Sequence, residues 1–442
     1  VFIMTDDQDT ATVQYMPRVR ALLADRGATF NNMFVVNPIC CPSQVSMLTG
    51  QYSHNNGILH NAPPQGGFQK FVDTGGDRST LATWLQGSGY LTGRVGKYLV
   101  GYPIGSTYVP PGWDAWHCMY GGFSTYFNYS LNENGVVVPY GAAAEDYITD
   151  VFSQRAVEFL AAAEAVDDQP FFLVFSPTAP HGDAGPNGPP RPAPRHQGLF
   201  AGVTAPRPPS FNEADVNDKP PAIANLPLLT AAQVAAIDQE YQARLESLQA
   251  VDEAVERIID TLDALGELED TYIIFTADNG YHLGQHRLFN GKAQVYEEDI
   301  RVPLLVRGPG IPEGVALDHF ALNIDFAPTI CELAGVIPGR QMDGRSLAQL
   351  LVRDTPPPSN WRKDFLVAIY RVPGQLGPPS FSLRTRHEKY VEFATGPGEL
   401  YDIREDPSEL DNRIATADRG YLERLSRRLA ELVTCSGGGC NE

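Results

Sequence analysis

Val1-Phe2-Ile3-Met4 runs into Thr5-Asp6-Asp7, and Tyr272-Ile273-Ile274-Phe275 runs into Thr276-Ala277-Asp278-Asn279-Gly280. Each is a short run of β-branched, aromatic and other apolar residues closed by polar, turn-forming ones, the pattern of a buried strand. Phe171 to Phe175 and Val302 to Val306 repeat it. Between such runs lie helical stretches. The clearest opens after Thr230, a suitable N-cap, and carries Tyr241, Leu245, Leu248, Val251, Val255, Ile258, Leu262 and Leu265 three or four residues apart, with Gly266 as its stop. This alternation predicts an α/β domain, a large mixed and mostly parallel sheet covered by helices. In such a sheet ligands sit at the carboxyl ends of the strands, where these acidic residues fall.

The composition narrows the class. The chain has 442 residues, 43% of them hydrophobic, and a net charge of −20 from 53 acidic and 33 basic residues. That balance argues against nucleic acid as a partner, and so apolar a chain is not disordered. No apolar run approaches the roughly 18 residues of a membrane span. An anionic small substrate stays compatible with a locally basic site. Residues 182–229 hold eleven prolines and little periodicity, and read as a binding loop or lid. Pro356-Pro357-Pro358 marks a boundary near residue 355. It predicts a catalytic α/β domain over 1–355 and a smaller α+β domain over 356–442, an antiparallel sheet plus a helix. Phe365 to Tyr370 and Lys389 to Phe393 would be strands of the latter, and Tyr421 to Val433 its helix.

Cys435-Ser-Gly-Gly-Gly-Cys440 reads as a disulfide closing a small ring, which implies an oxidising compartment. Neither an initiator Met nor a signal-peptide pattern opens the chain, so a processed N-terminus is expected. Asn128-Tyr129-Ser130 is a glycosylation triplet of the kind that also arises by chance. Together these predict a secreted or otherwise extracytoplasmic protein, a lysosomal type of compartment included.

Two acidic clusters at matching strand ends are what a hard cation such as Ca²⁺ or Mg²⁺ requires; taken singly, each is ordinary turn or cap chemistry. Cys40-Cys41-Pro42-Ser43-Gln44 has proline suited to the first turn of a helix, which sets Cys40 near free N–H groups that favour an anion or an activated nucleophile. Most free cysteines are instead inert core residues.

Cys40-x-Pro42-Ser43 followed by Leu48-Thr49-Gly50 resembles the sulfatase signature, in which the cysteine is oxidised to formylglycine. The resemblance continues in order through Gly96-Lys97-Tyr98, Pro111-Gly112-Trp113, Ala179-Pro180-His181-Gly182, Asp278-Asn279-Gly280-Tyr281-His282, Gly291-Lys292, Arg301-Val302-Pro303, Arg307-Gly308-Pro309-Gly310, Asn323-Ile324-Asp325, Met342-Asp343-Gly344 and Leu400-Tyr401-Asp402. Gly96-Lys97-Tyr98-Leu99 through Trp113, with Phe127-Asn128-Tyr129 and Gly280-Tyr281-His282-x-Gly284-Gln285, is most similar to the glucosamine-6-sulfatase branch. The resemblance implies an alkaline-phosphatase type of fold and a sulfuric ester hydrolase acting on a glucosamine-type sugar or another sulfate ester. It implies Asp6, Asp7, Asp278 and Asn279 as ligands of one divalent cation, usually Ca²⁺ with Mg²⁺ as the alternative. Cys40 would be the formylglycine, made by a formylglycine-generating enzyme. Lys97, His181 and Lys292 would surround the sulfate, and His282 and Gln44 would stand on the substrate side. His286 also flanks the Asp278 cluster, and Arg191, Arg195 and Arg207 lie in the proline-rich stretch, where an anionic glycan or plain solvent would meet them.

The signature ordinarily carries arginine where this chain has Gln44, a neutral amide that cannot make the guanidinium's charged fork. Two other readings therefore share the fold: a phosphodiester or phosphonate ester hydrolase, and a catalytically silent relative that binds a sulfated glycan.

Overall fold

The computed structural model describes residues 1–442 except 103–104, 122–123, 167–168, 184–187, 353–360, 372–374 and 442. Its main sheet contains β1 (Phe2–Thr5), β2 (Ala28–Phe34), β3 (Leu91–Gly96), β4 (Ala115–Met119), β5 (Tyr129–Glu133), β6 (Val136–Tyr140), β7 (Phe171–Ser176), β8 (Ile273–Ala277), β9 (Leu304–Arg307) and β10 (Val315–Leu322). Their order across the sheet is β10-β2-β9-β8-β1-β7-β3-β4-β5-β6. Strands β8, β1, β7, β3 and β4 form one contiguous parallel block. The run read at Val302 begins its strand two residues later, as β9, and lies antiparallel to both β8 and β2. A hairpin, β5 with β6, closes the far edge; Pro139 and the exposed Val136 and Val137 are tolerable there because, among the described residues, β6 has no strand beyond it.

The strand sequences follow from double burial. Every residue of β1 and β8 is buried, as expected when helices cover both faces. Phe2 and Met4 point into one core with Phe172, Val174 and Ile274. Ile3 points into the other, with Leu173, Phe175 and Phe275. On the first face lie α1 (Cys40–Thr49), through Val45, Met47 and Leu48, and a later helix (Phe326–Leu333), through Phe326 and Ile330. The second face is covered by Ile148–Glu164 and by the long helix Ala231–Leu265. The long helix starts and stops where its sequence says: Thr230 accepts from Gln233 N–H, and Gly266 ends it in the left-handed conformation.

Among the described residues of 182–229 the regular elements are short helical turns, at Pro194–His196 and Pro221–Ala224. They are better anchored than a surface excursion. Ala205 and Leu229 pack with Tyr241, Leu245 and Leu283, while Val216 and Ile223 pack with Leu288 and Tyr296.

A second sheet, β11 (Asp364–Ile369), β12 (Ser380–Thr385), β13 (Glu388–Phe393) and β14 (Glu399–Asp402), is an antiparallel meander. The helix Arg419–Thr434 lies on it through Leu425, Leu429 and Leu432. Phe365, Leu366 and Val367 share one apolar cluster with Phe34, Val36, Phe320 and Leu322 at the edge of the main sheet. The boundary expected near residue 355 falls outside the described residues. The predicted disulfide is formed between Cys435 and Cys440, and Cys40, Cys41, Cys118 and Cys331 are buried free thiols.

Next to this joint, buried Arg362 grips buried Asp325 through two bonds of 2.6 and 2.8 Å. Breaking one partner of a buried pair leaves an uncompensated charge, so Arg362→Met should cost about 3–5 kcal/mol. Urea unfolding would show it as a lower midpoint. Arg419→Met, which removes an exposed pair with Glu423, should leave the midpoint unmoved.

Candidate functional site

Four neighbouring parallel strands each deliver a candidate residue from the carboxyl end. The register of β1 against β8 pairs Thr5 with Ala277, so Asp6-Asp7 leaves the sheet beside Asp278-Asn279. Strand β3 ends at Gly96 and passes into Lys97, whose N–H donates to Ser176 O at the end of β7. The loop after β7 brings His181. Cys40 is the first residue of α1, and Lys292 comes from the long loop after β8.

The turn that spreads the carboxylates is tight. A Cβ on Gly280 would lie 2.1 Å from Glu298 O, so only glycine fits after Asp278-Asn279. Asp7 adopts φ 66, rare outside glycine, and is held there from both sides. Its N–H donates to Asp278 Oδ1 at 3.1 Å, and buried Arg244 donates to its carbonyl.

Charged groups of both signs alternate in this pocket. Lys97 pairs with Asp6, and Lys292 pairs with Asp7. The Cys40 sulfur lies 3.7 Å from Lys97 Nζ, 2.7 Å from Lys292 Nζ and 3.7 Å from Asp6 Oδ1. His181 Nδ1 meets Gly182 O at 2.7 Å, and its Nε2 lies 3.7 Å from Asp7 Oδ2. Burial works to lower the Lys97 ammonium, but Asp6 outweighs it and holds the group above its ordinary value. Lys292 is raised in the same way, against burial, by Asp7 and its neighbours. Burial works to raise Asp7, yet Lys292, His181 and Lys97 hold it below the usual carboxylate range. Asp278 is pushed up to about 7 by burial and by Asp6. Burial raises the Cys40 thiol to about 12, so it stays protonated at neutral pH. His181 is lowered by burial, which Asp6 and Asp7 only partly offset.

The donor set fits a divalent cation. Ligand atoms of Asp6, Asp7, Cys40 and His181 all lie within 4.8 Å of one another. Asn279 Nδ2 is committed to Asp7 Oδ1 and to Gly280 O, leaving its buried Oδ1 without a hydrogen-bond partner among the described residues. A buried acceptor so placed, beside buried carboxylates, is chemically suited to an oxygen-coordinated cation.

Most residues singled out in the sequence meet here. His282 lies at the edge, its Nδ1 on Asp299 at 2.8 Å, and lines a cavity of about 410 Å³ together with Lys292. Gln44 donates to Asp278 Oδ2 at 3.0 Å. His286 does not belong to the site. It is buried behind it, bonded to Glu213 at 2.7 Å and packed on Tyr296, and burial pushes it down to about 3. Arg195 is engaged by Asp150 and Glu253, Arg207 by Asp238, and Arg191 lies near Asp183 over the Phe127 ring. Two buried arginines beside the site, Arg244 and Arg94, escaped the sequence reading. Arg244 sits between Tyr241 and Leu245 on the long helix, stacks 4.0 Å from the Tyr281 ring and also bonds Pro180 O. Arg94 donates to Lys97 O at 2.8 Å. The available signal was position: Arg244 falls at the helical spacing of Tyr241 and Leu248, and Arg94 lies within the strand run Leu91–Gly96.

Comparison with known proteins bears on the whole chain. A sequence model described as Sulfatase matches residues 1–336, and one described as N-sulphoglucosamine sulphohydrolase, C-terminal, matches residues 284–434. An arylsulfatase of Volvox carteri is 36% identical, covering 100% of this chain and 75% of that protein. The N-acetylglucosamine-6-sulfatase of Homo sapiens is 34% identical, covering 100% of this chain and 85% of that protein. A solved structure described as a complex with its substrate D-glucosamine-2-N,6-O-disulfate superimposes with a TM-score of 0.80 at 26% identity, covering 97% of this chain and 96% of that one.

Gln44 and Arg94 line one enclosed space of about 20 Å³ whose other walls are mostly apolar, Met4 and Phe172 among them. An arginine at 44 would set a second guanidinium against Arg94. Gln44→Arg and Arg94→Met should therefore be non-additive by about 1 kcal/mol or more, Arg94→Met costing less in the Gln44→Arg background. A double-mutant cycle on unfolding free energies reads this directly, and additivity would mean that the two positions do not share the space.

Proposed function

The chain belongs to the sulfatase family, a family of sulfuric ester hydrolases, and from that premise we propose that it removes 6-O-sulfate from a glucosamine-type sugar at a site built on position 40. The observation that carries this reading is the setting of Cys40, at the first turn of a helix between two lysines and beside the Asp6 carboxylate. The choice of sugar rests on the whole-length similarity to N-acetylglucosamine-6-sulfatase and on the fold shared with a protein whose substrate is a glucosamine disulfate.

In this reading Cys40 is converted by a formylglycine-generating enzyme. Formylglycine, as its hydrate, supplies the oxygen nucleophile that a buried, protonated thiol does not. Asp6, Asp7, Asp278 and Asn279 hold a divalent cation, Ca²⁺ by resemblance or Mg²⁺, and when bound it adds positive charge at the sulfate oxygens. Lys97 and Lys292 flank the reacting position and hold the negative charge that grows on the transferring sulfate. His181, with Nδ1 fixed on Gly182 O, turns Nε2 toward the same space. His181 or Lys292 gives a proton to the departing sugar oxygen as the S–O bond breaks. Sulfate ester and water become sugar hydroxyl and sulfate. Gln44 keeps a hydrogen bond to Asp278 from the signature's arginine position, and His282, held by Asp299, meets the sugar side. Residues 1–355 would form the catalytic domain and 356–442 a smaller one that closes its edge. The disulfide between Cys435 and Cys440 supports a secreted or otherwise extracytoplasmic setting.

Peptide mass spectrometry of protein from its native host should find the aldehyde at position 40. The same material should release sulfate from glucosamine 6-sulfate. Chelation should stop the release and added Ca²⁺ restore it. Lys292→Met should lower kcat/KM by about 10²–10³. An intact thiol with no sulfate release, or hydrolysis of a phosphodiester in its place, would contradict the proposal.

A further inference from the structure

The cavity of about 410 Å³ that opens beside Lys292 and His282 carries a charge pattern unlike the rest of the chain. The protein has 53 acidic against 33 basic residues, yet among the described residues lining this cavity there is no aspartate or glutamate. Besides Lys292 and His282 its wall holds Arg287 and Arg371, side-chain amides such as Asn290 and Gln294, and the partly exposed ring of Phe289. Amides and an apolar ring suit the hydroxyls and faces of a sugar. A basic wall suits an anion, although Lys292 is paired with Asp7 and His282 with Asp299.

The two arginines differ in what they have left to give. Arg287 spends its donors on the carbonyls of Glu213, Leu226 and Ala214, at 2.7 to 2.8 Å, and so braces the wall. Among the described residues Arg371 makes one bond, from an Nη to Gln294 Oε1 at 3.0 Å. Its buried Nε has no partner, and no carboxylate pairs with it among the described residues. The acid whose charge bears on it, Asp299, already receives His282 Nδ1 and Gln294 N–H. Burial lowers the guanidinium to about 10, which keeps it cationic at neutral pH. A half-buried arginine left unpaired on the wall of a cleft is a receptor for an anionic group.

We propose that Arg371 receives a second acidic substituent of the substrate, a sulfate or a carboxylate, while the scissile sulfate lies at Lys292, so that the enzyme favours sugars carrying two acidic groups over those carrying one. This rests on the sulfatase reading given above and specifies its substrate class. The second acid has two chemical sources, an N-sulfate on the same glucosamine or the carboxylate of an adjoining uronic acid.

Three probes separate the outcomes: glucosamine 6-O-sulfate, glucosamine 2-N,6-O-disulfate, and a 6-O-sulfated glucosamine linked to a uronic acid. With mature enzyme, kcat/KM on at least one of the two-acid sugars should exceed that on the monosulfate by roughly tenfold or more, chiefly through KM. Which of them gains identifies the second acid. Arg371→Gln should bring that ratio down to about one, and Arg371→Lys should retain part of it. Equal kcat/KM on all three sugars would overturn the proposal, as would an Arg371→Gln variant that folds normally and keeps the wild-type ratio. Sulfate release from none of the three by wild-type protein would instead overturn the sulfatase reading on which it rests.

Discussion

Three buried carboxylates, Asp6, Asp7 and Asp278, are forced together at the ends of two adjacent parallel strands, and much of the surrounding structure answers that constraint. Like charges so close in a low-dielectric interior cannot all remain ionised without compensation. The chain supplies two lysines from two other elements, each paired with one aspartate. The Asn279 amide bonds one carboxylate, Gln44 another, and Arg244 donates to the Asp7 carbonyl from the neighbouring helix. Even so, Asp278 stays raised to about 7, chiefly by burial and by Asp6. An oxygen-rich pocket with an unspent acceptor is what a divalent cation completes.

The sheet explains why the site forms where it does. Because β8, β1, β7 and β3 run parallel and side by side, their carboxyl ends open onto one crevice, and four separate stretches of sequence meet there without any long-range loop having to find another. Helix α1 then sets Cys40 among them. The second sheet contributes differently. It shares an apolar cluster with the edge of the first, and Arg371, just beyond β11, lines the cleft wall.

Much of this was legible before any coordinates. Apolar runs closed by acids gave the strand ends, and with them Asp6, Asp7, Asp278 and Asn279. Thr230 and Gly266 delimited the long helix because capping is local chemistry. Lys97, His181 and Lys292 came only through resemblance, since an isolated lysine or histidine carries no signal of its own partners. What stayed hidden depends on side chains meeting across distant elements. Arg244 and Arg94 look like surface residues until their burial is known, and His286 looked equivalent to His282 although the two face different sides of one loop. The antiparallel direction of β9 was equally invisible, because an apolar run says nothing about which way it is traversed.

The proposed chemistry depends on the carboxylate cluster holding a divalent cation. The direct measurement is calorimetric titration of Ca²⁺ into metal-stripped protein, alongside metal analysis of the protein as purified. One tightly bound divalent ion per chain, lost in Asp278→Asn with the fold intact by circular dichroism, is the expected result. A wild-type protein that binds no divalent cation, or an Asp278→Asn variant that binds one as tightly, would contradict it.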